Sequence, residues 1–155
     1  MAERVVPWVA GFRWEPNAPE AVLAVSDAGR AALALKAHFD DADQDCVIFA
    51  WSGTQAAIMG PPGDEARPGH RLSSLGLSDL LWAGQVEQSE WIMDLERQVR
   101  DHPRHSAARF ARLTHFILPL ILPLKESTVE VAAERVTVLR RPGPTSSAAT
   151  APFRQ

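Results

Sequence analysis

The sequence predicts an α+β fold: a curved, mainly antiparallel sheet of about six to eight strands in hairpins, packed on one main helix near 89–102. Three observations carry this. Short apolar runs recur between turn residues, one segment alone has a sustained helical period, and the stretch from 113 to 140 returns to strand-like alternation. A small open β-barrel with one helix is the alternative that satisfies the same pattern.

Taken in order, residues 1–19 hold Val5, Val6, Trp8, Val9, Phe12 and Trp14. Pro7 has no amide hydrogen, so a strand there is an edge or interrupted strand. Ala21 to Phe39 reads as a hairpin turning at Asp27-Ala28-Gly29, because the glycine supplies a positive φ. Its many alanines leave a helix at 28–38 in competition. The acidic run Asp40 to Asp45 reads as a polar turn. Asp41, Asp43 and Asp45 alternate as in a calcium loop, but the apolar strand from Cys46 to Trp51 begins where that loop would continue. Ser52-Gly53-Thr54 is expected to reverse the chain, with Gln55 to Gly60 as the returning strand.

The next stretch, M-G-P-P-G-D-E-A-R-P-G-H-R-L from Met59 to Leu72, contains three prolines and three glycines, so roughly 60–72 is a loop on a stiffened backbone. A strand is expected within Leu80 to Gln88. Ser89 then caps the helix, with Trp91, Ile92, Leu95 and Val99 on one face and Pro103 as the stop. Ser106 to Arg112 adds a turn or two. In the final strands Val129 and Val131 are odd-numbered, whereas Val136 and Val138 are even. A bulge or turn is therefore required near Ala132 to Arg135. Ile-Leu-Pro-Leu occurs twice, at 117–120 and 121–124, and its prolines predict a kinked edge strand or a local insertion. Residues 1–141 are expected to form one domain, and the low-complexity stretch 142–155 a disordered tail.

Composition narrows the function. The net charge of −3 lacks the basic footprint of a general nucleic-acid binder, so no nucleic-acid partner is expected. The apolar run Phe116 to Leu124 is far shorter than the roughly 20 residues of a spanning helix, so no membrane partner is expected either. A single cysteine, Cys46, and a start unlike a signal peptide suit a reducing, cytoplasmic setting. The richness in Ala, Arg and Pro suits a bacterial source.

Candidate chemistry centres on the 60–72 loop. Asp64, Glu65 and His70 place carboxylates near an imidazole, the minimal set for general acid–base work. His115, on a late strand, is expected to point inward and join them as the fourth catalytic candidate. Trp51 and Trp82 supply apolar walls, and Arg67 and Arg109 supply anion-binding forks. His102, His105 and His115 do not follow a metal-ligand spacing, and no phosphate-loop or nucleophile-elbow pattern is present, so no metal or cofactor is expected. The function read from these residues is that of a small protein binding or transforming a small organic molecule by cofactor-free acid–base chemistry, of isomerase, dehydratase, cyclase or hydrolase type. The alternative is a non-catalytic interaction protein. It would use the basic 97–112 surface or the 117–124 edge, the latter as a homodimer interface.

Overall fold

The computed structural model describes residues 2–15, 21–42, 44–62, 66–120 and 127–154. Seven strands make one antiparallel sheet: β1 (Arg4–Trp8), β2 (Ala21–Ser26), β3 (Arg30–Lys36), β4 (Asp45–Gly60), β5 (Ala83–Glu87), β6 (Thr114–Leu120) and β7 (Ser127–Pro142). Their spatial order is β1-β5-β6-β7-β4-β3-β2, which confirms the α+β reading. The helices are α1 (Phe39–Ala42), α2 (Glu90–Val99), α3 (Ala107–Ala111) and α4 (Thr145–Thr150). Among the described residues no helix is long and apolar enough to cross a membrane.

The sheet is rolled. Trp8 of β1 and Phe49 of β4 have ring centroids 5.9 Å apart, yet three strands separate β1 from β4. In a flat sheet four spacings would put those strands about 19 Å apart. The enclosed face holds the main core, including Leu33, Leu35, Phe49, Trp51, Phe116, Leu118, Val129 and Val131. The roll does not close into the barrel of the alternative reading, because β1 and β2 remain as two edges.

Several local expectations hold. The β2–β3 hairpin turns at residues 27–29 with Gly29 at φ +82°. Pro7 lies in an edge strand. Ser89 caps α2, its side chain accepting from the Ile92 amide. The parity slip in β7 is present: Val129, Val131 and Ala133 face the main core, and then Val136 and Val138 do. Opposite it the register shifts between Thr54 and Ala56, leaving Gln55 as the extra residue in β4.

Three expectations are corrected. Ser52-Gly53-Thr54 does not reverse the chain; β4 runs unbroken for 16 residues against β7. Gly53 uses its positive φ of 62° within the strand, where a Cβ would lie 2.8 Å from the Glu134 side chain. Next, β6 is central despite Pro119. Its pairing with β5 ends at Ile117, so the proline lies where only β7 still pairs. The second Ile-Leu-Pro-Leu, 121–124, falls outside the described residues. Finally, residues 145–154 are helical rather than a disordered tail. Ala148 and Ala149 of α4 are buried against Ala32, Ala34, Cys46 and Ile48, on the outer sheet face. Small side chains on both sides allow close approach, which composition alone does not reveal.

Candidate functional site

At the β6–β7 side of the outer sheet face a buried polar network replaces the apolar core. Phe116 and Leu118 of β6 face the enclosed core, so alternation sends His115 to the outer face. The same alternation sends Glu130 there from between Val129 and Val131. In register Ile117 pairs with Glu130 and His115 with Ala132, which makes His115 and Glu130 diagonal neighbours. His115 Nε2 lies 2.9 Å from Glu130 Oε1, and its Nδ1 lies 2.7 Å from Ser89 Oγ. The loop after residue 66 lays Arg71 over the same carboxylate, with Nη2 at 2.8 Å from Oε1 and Nη1 at 3.3 Å from Oε2. His70 Nε2 stands 3.5 Å from Oε2. The Leu72 amide donates to His70 Nδ1, so the ring proton belongs on Nε2, toward Glu130.

Burial by itself would raise the Glu130 pKa. Hydrogen bonds from His115 and Arg71, together with the Arg71 charge, overcome that effect and hold the carboxyl at about 2. His70 is held below its ordinary value, chiefly by burial; Glu130 opposes that shift and Arg71 adds to it.

Ser89, His115 and Glu130 form a hydrogen-bonded row with the composition of a nucleophilic triad, but its geometry is structural. The Ser89 hydroxyl oxygen accepts from the Ile92 amide and shares a hydrogen bond with His115 Nδ1, within the cap of α2. His115 is fully buried and packs edge-on against Trp91 at 4.8 Å. The ring presents Nδ1 to the serine and Nε2 to the carboxylate, the reverse of the working arrangement. The Glu90 amide, next along the chain from Ser89, is bonded to Glu3 Oε1 at 3.0 Å.

A second feature is open. The segments 7–14 and 79–83 border a cleft of about 440 Å³. Gly11, at φ +85°, turns the chain after β1 so that Trp14 reaches a bridge with Ala37. The buried Trp14 ring meets Trp82 edge-on at 5.1 Å and Phe49 at 5.5 Å, and Trp8 meets Phe116 at 5.4 Å. Exposed Val9 (88%) and Leu81 (71%) stand on its rim. Arg13 and Asp79 are its titratable lining residues. The Arg13 guanidinium is committed to Asp41 through two bonds of 2.6 and 3.1 Å.

The sequence-derived candidates therefore separate. His70 and His115 converge on Glu130 in the interior. Trp82 lines the cleft, whereas Trp51 is buried in the core, stacked on Phe49 at 5.8 Å. Arg67 bonds the Leu80 carbonyl at 3.4 Å and so ties the loop to the segment below the cleft. Arg109 lines a different crevice of about 300 Å³ with His102, His105 and Gln55. Asp64 and Glu65 lie outside the described residues. Among the described residues no cluster of His, Cys, Asp or Glu is placed to hold a metal ion. Glu130 and Arg71 were not legible as partners, though a lone acid inside T-V-E-V is a signal that the opposite strand face is covered. Compared with protein-family models, curated proteins and solved structures, the chain matches none.

Proposed function

We propose that the protein binds a small aromatic or apolar organic molecule in the cleft between residues 7–14 and 79–83. One observation carries the reading: an open cavity of about 440 Å³ walled by Trp8, Trp14 and Trp82. Its size lies in the range of small-molecule sites, and tryptophan walls supply large apolar contact with a preference for planar ligands. Asp79 adds a polar group able to orient a ligand. The reading is of binding rather than catalysis, because His70 and His115 are committed to Glu130 and do not line this cavity.

The test is intrinsic tryptophan fluorescence titrated with a panel of planar aromatic probes such as naphthol and indole. Saturable quenching that disappears in Trp82→Ala supports the reading. Unchanged quenching in that variant, or none in the wild type, removes it.

The exposed rim favours a second reading, a protein partner seated on Val9 and Leu81. Here the mass measured by light scattering decides. A dimer that Leu81→Asp converts to monomer favours the partner, and a monomer throughout leaves the small ligand.

A further inference from the structure

On the opposite side of the sheet from the tryptophan cleft, the outer surface of β3, β4 and β7 carries a second cavity of about 310 Å³, walled by Ala151 and Pro152 beyond α4. The strand residues in and beside it form cross-strand rows, with Arg135 next to the cavity rather than in its lining. Arg30 pairs with Ser52, and Ser52 pairs with Arg135, so two arginines flank one serine. Two strand spacings separate them, about 9.6 Å. The next rows are apolar or hydroxylic: Ala50 beside Thr137, then Ile48 beside Leu139. Arg141 closes the far end of the cavity.

Six arginines elsewhere in the molecule are held by acids, and among the described residues those of this groove are not. Arg4, Arg13, Arg71, Arg97, Arg112 and Arg140 each pair with a carboxylate. Among the described residues Arg30, Arg135 and Arg141 have none within ion-pair distance. Three cations gather here on a chain whose net charge is −3. Their hydrogen bonds also aim them. Arg30 Nη1 donates to the Pro152 carbonyl at 3.1 Å, and Arg135 Nε donates to Ser52 Oγ at 3.4 Å. The serine oxygen is thereby used as an acceptor while its own O–H stays available to donate. Like charges two strands apart still repel, and an anion above Ser52 would relieve that repulsion.

We propose that this groove binds a small organic anion. An oxyanion head, carboxylate or phosphate, sits over Ser52 between the Arg30 and Arg135 guanidinia. An apolar body lies along Ala50, Ile48 and Leu139 toward Arg141. Guanidinium forks match the two or three oxygens of such a head. From the Ser52 row to the Ile48 row is about 13 Å, room for one ring and a short chain. This site is separate from the tryptophan cleft, and either reading stands without the other.

The experiment is amide chemical-shift mapping of the full ¹⁵N-labelled chain titrated with phenyl phosphate at low ionic strength, with benzoate and inorganic phosphate as comparisons. The expected result is saturable shifts at Arg30, Ser52, Arg135, Thr137 and Ala151. Arg30→Gln and Arg135→Gln should each weaken binding about tenfold, the usual effect of losing a charge-assisted hydrogen bond. Both side chains are exposed, so the variants should fold, and their melting curves check that. The proposal is overturned if no saturable shifts occur, if they centre instead on Arg104 and Arg109, or if the double variant binds as the wild type does. Inorganic phosphate binding as tightly as phenyl phosphate overturns the apolar body. Phenyl phosphate binding far better than benzoate, or the reverse, identifies the head.

Discussion

Arg71 and Glu130 meet through two hydrogen bonds, yet their side chains are 47% and 4% exposed. The pair is therefore unequal. Arginine can turn back to water if its partner goes, but the carboxylate cannot. Breaking a buried pair so that a charge is left stranded costs about 3–5 kcal/mol. Arg71→Ala is expected to fall near the lower end of that range, because His115 still donates to Oε1. Glu130→Gln keeps an acceptor and should cost less. Urea unfolding at neutral pH ranks the two, and the reverse order would show that the carboxylate is not what Arg71 stabilises.

Acid should weaken the same network in a defined window. Glu130 titrates at about 2 in the folded chain against an ordinary 4.5. The unfolded state therefore takes up the proton first as pH falls. The stability from Glu130 is complete above about pH 4.5 and is lost progressively toward 2. His70 acts in the same direction at higher pH. Its folded value lies below 6.5, so the unfolded chain protonates first and stability begins to erode below that pH. Arg71→Ala removes two hydrogen bonds and a positive charge from Glu130 and should move the acid loss upward in pH. A urea midpoint that stays flat from pH 6.5 to 3 would contradict this account.

What the sequence revealed was local, and what it hid was mostly contact between distant segments. Gly29, Pro7 and the Ser89 cap act through their own backbone or that of residues three positions away. The odd-to-even change from Val131 to Val136 is likewise written in one strand. Gly53 looked like a turn because nothing nearby shows that β7 pairs with β4 on both sides of it. Pro119 looked like an edge signal because the end of β5 pairing is set more than thirty residues earlier. His70 and His115 stood out as catalytic candidates, but the residue they share, Glu130, lies in a strand read only for its valines. The tryptophan cleft needed Trp8, Trp14 and Trp82 together: β1–β5 pairing sets Trp8 opposite Ala83, and Trp14, bridged to Ala37, meets Trp82 from the other end of the chain segment.

Trp14 and Trp82 touch each other but should respond differently to truncation. Trp14 is buried, bridged through its backbone to Ala37, and packed on Phe49. Trp14→Ala is expected to cost about 3–5 kcal/mol, as for other buried aromatic residues. Trp82 is exposed at the cleft, and Trp82→Ala should shift stability by about 1 kcal/mol or less while abolishing aromatic quenching. Thermal unfolding beside the ligand titration separates the roles. Equal losses of stability would mean that Trp82 is core and not wall.

The C-terminal segment offers the sharpest contrast between composition and contact. Residues 142–155 are rich in Ser, Ala, Thr and Pro, yet α4 covers Ala32, Ala34 and Ile48, all fully buried. Ending the chain at Gly143 would uncover that surface and remove the Pro152 carbonyl that Arg30 bonds. The shortened protein should melt at lower temperature and bind a hydrophobic dye. A point change isolates the cause from chain length. Ala149→Asp puts an uncompensated charge at a fully buried position and should cost several kcal/mol. Ser147→Asp, on the exposed side of the same helix, should change stability by less than about 0.5 kcal/mol. If Ala149→Asp and the truncation both melt like the wild type, α4 contributes nothing to the fold, and the groove wall that it positions at Ala151 and Pro152 is lost with it.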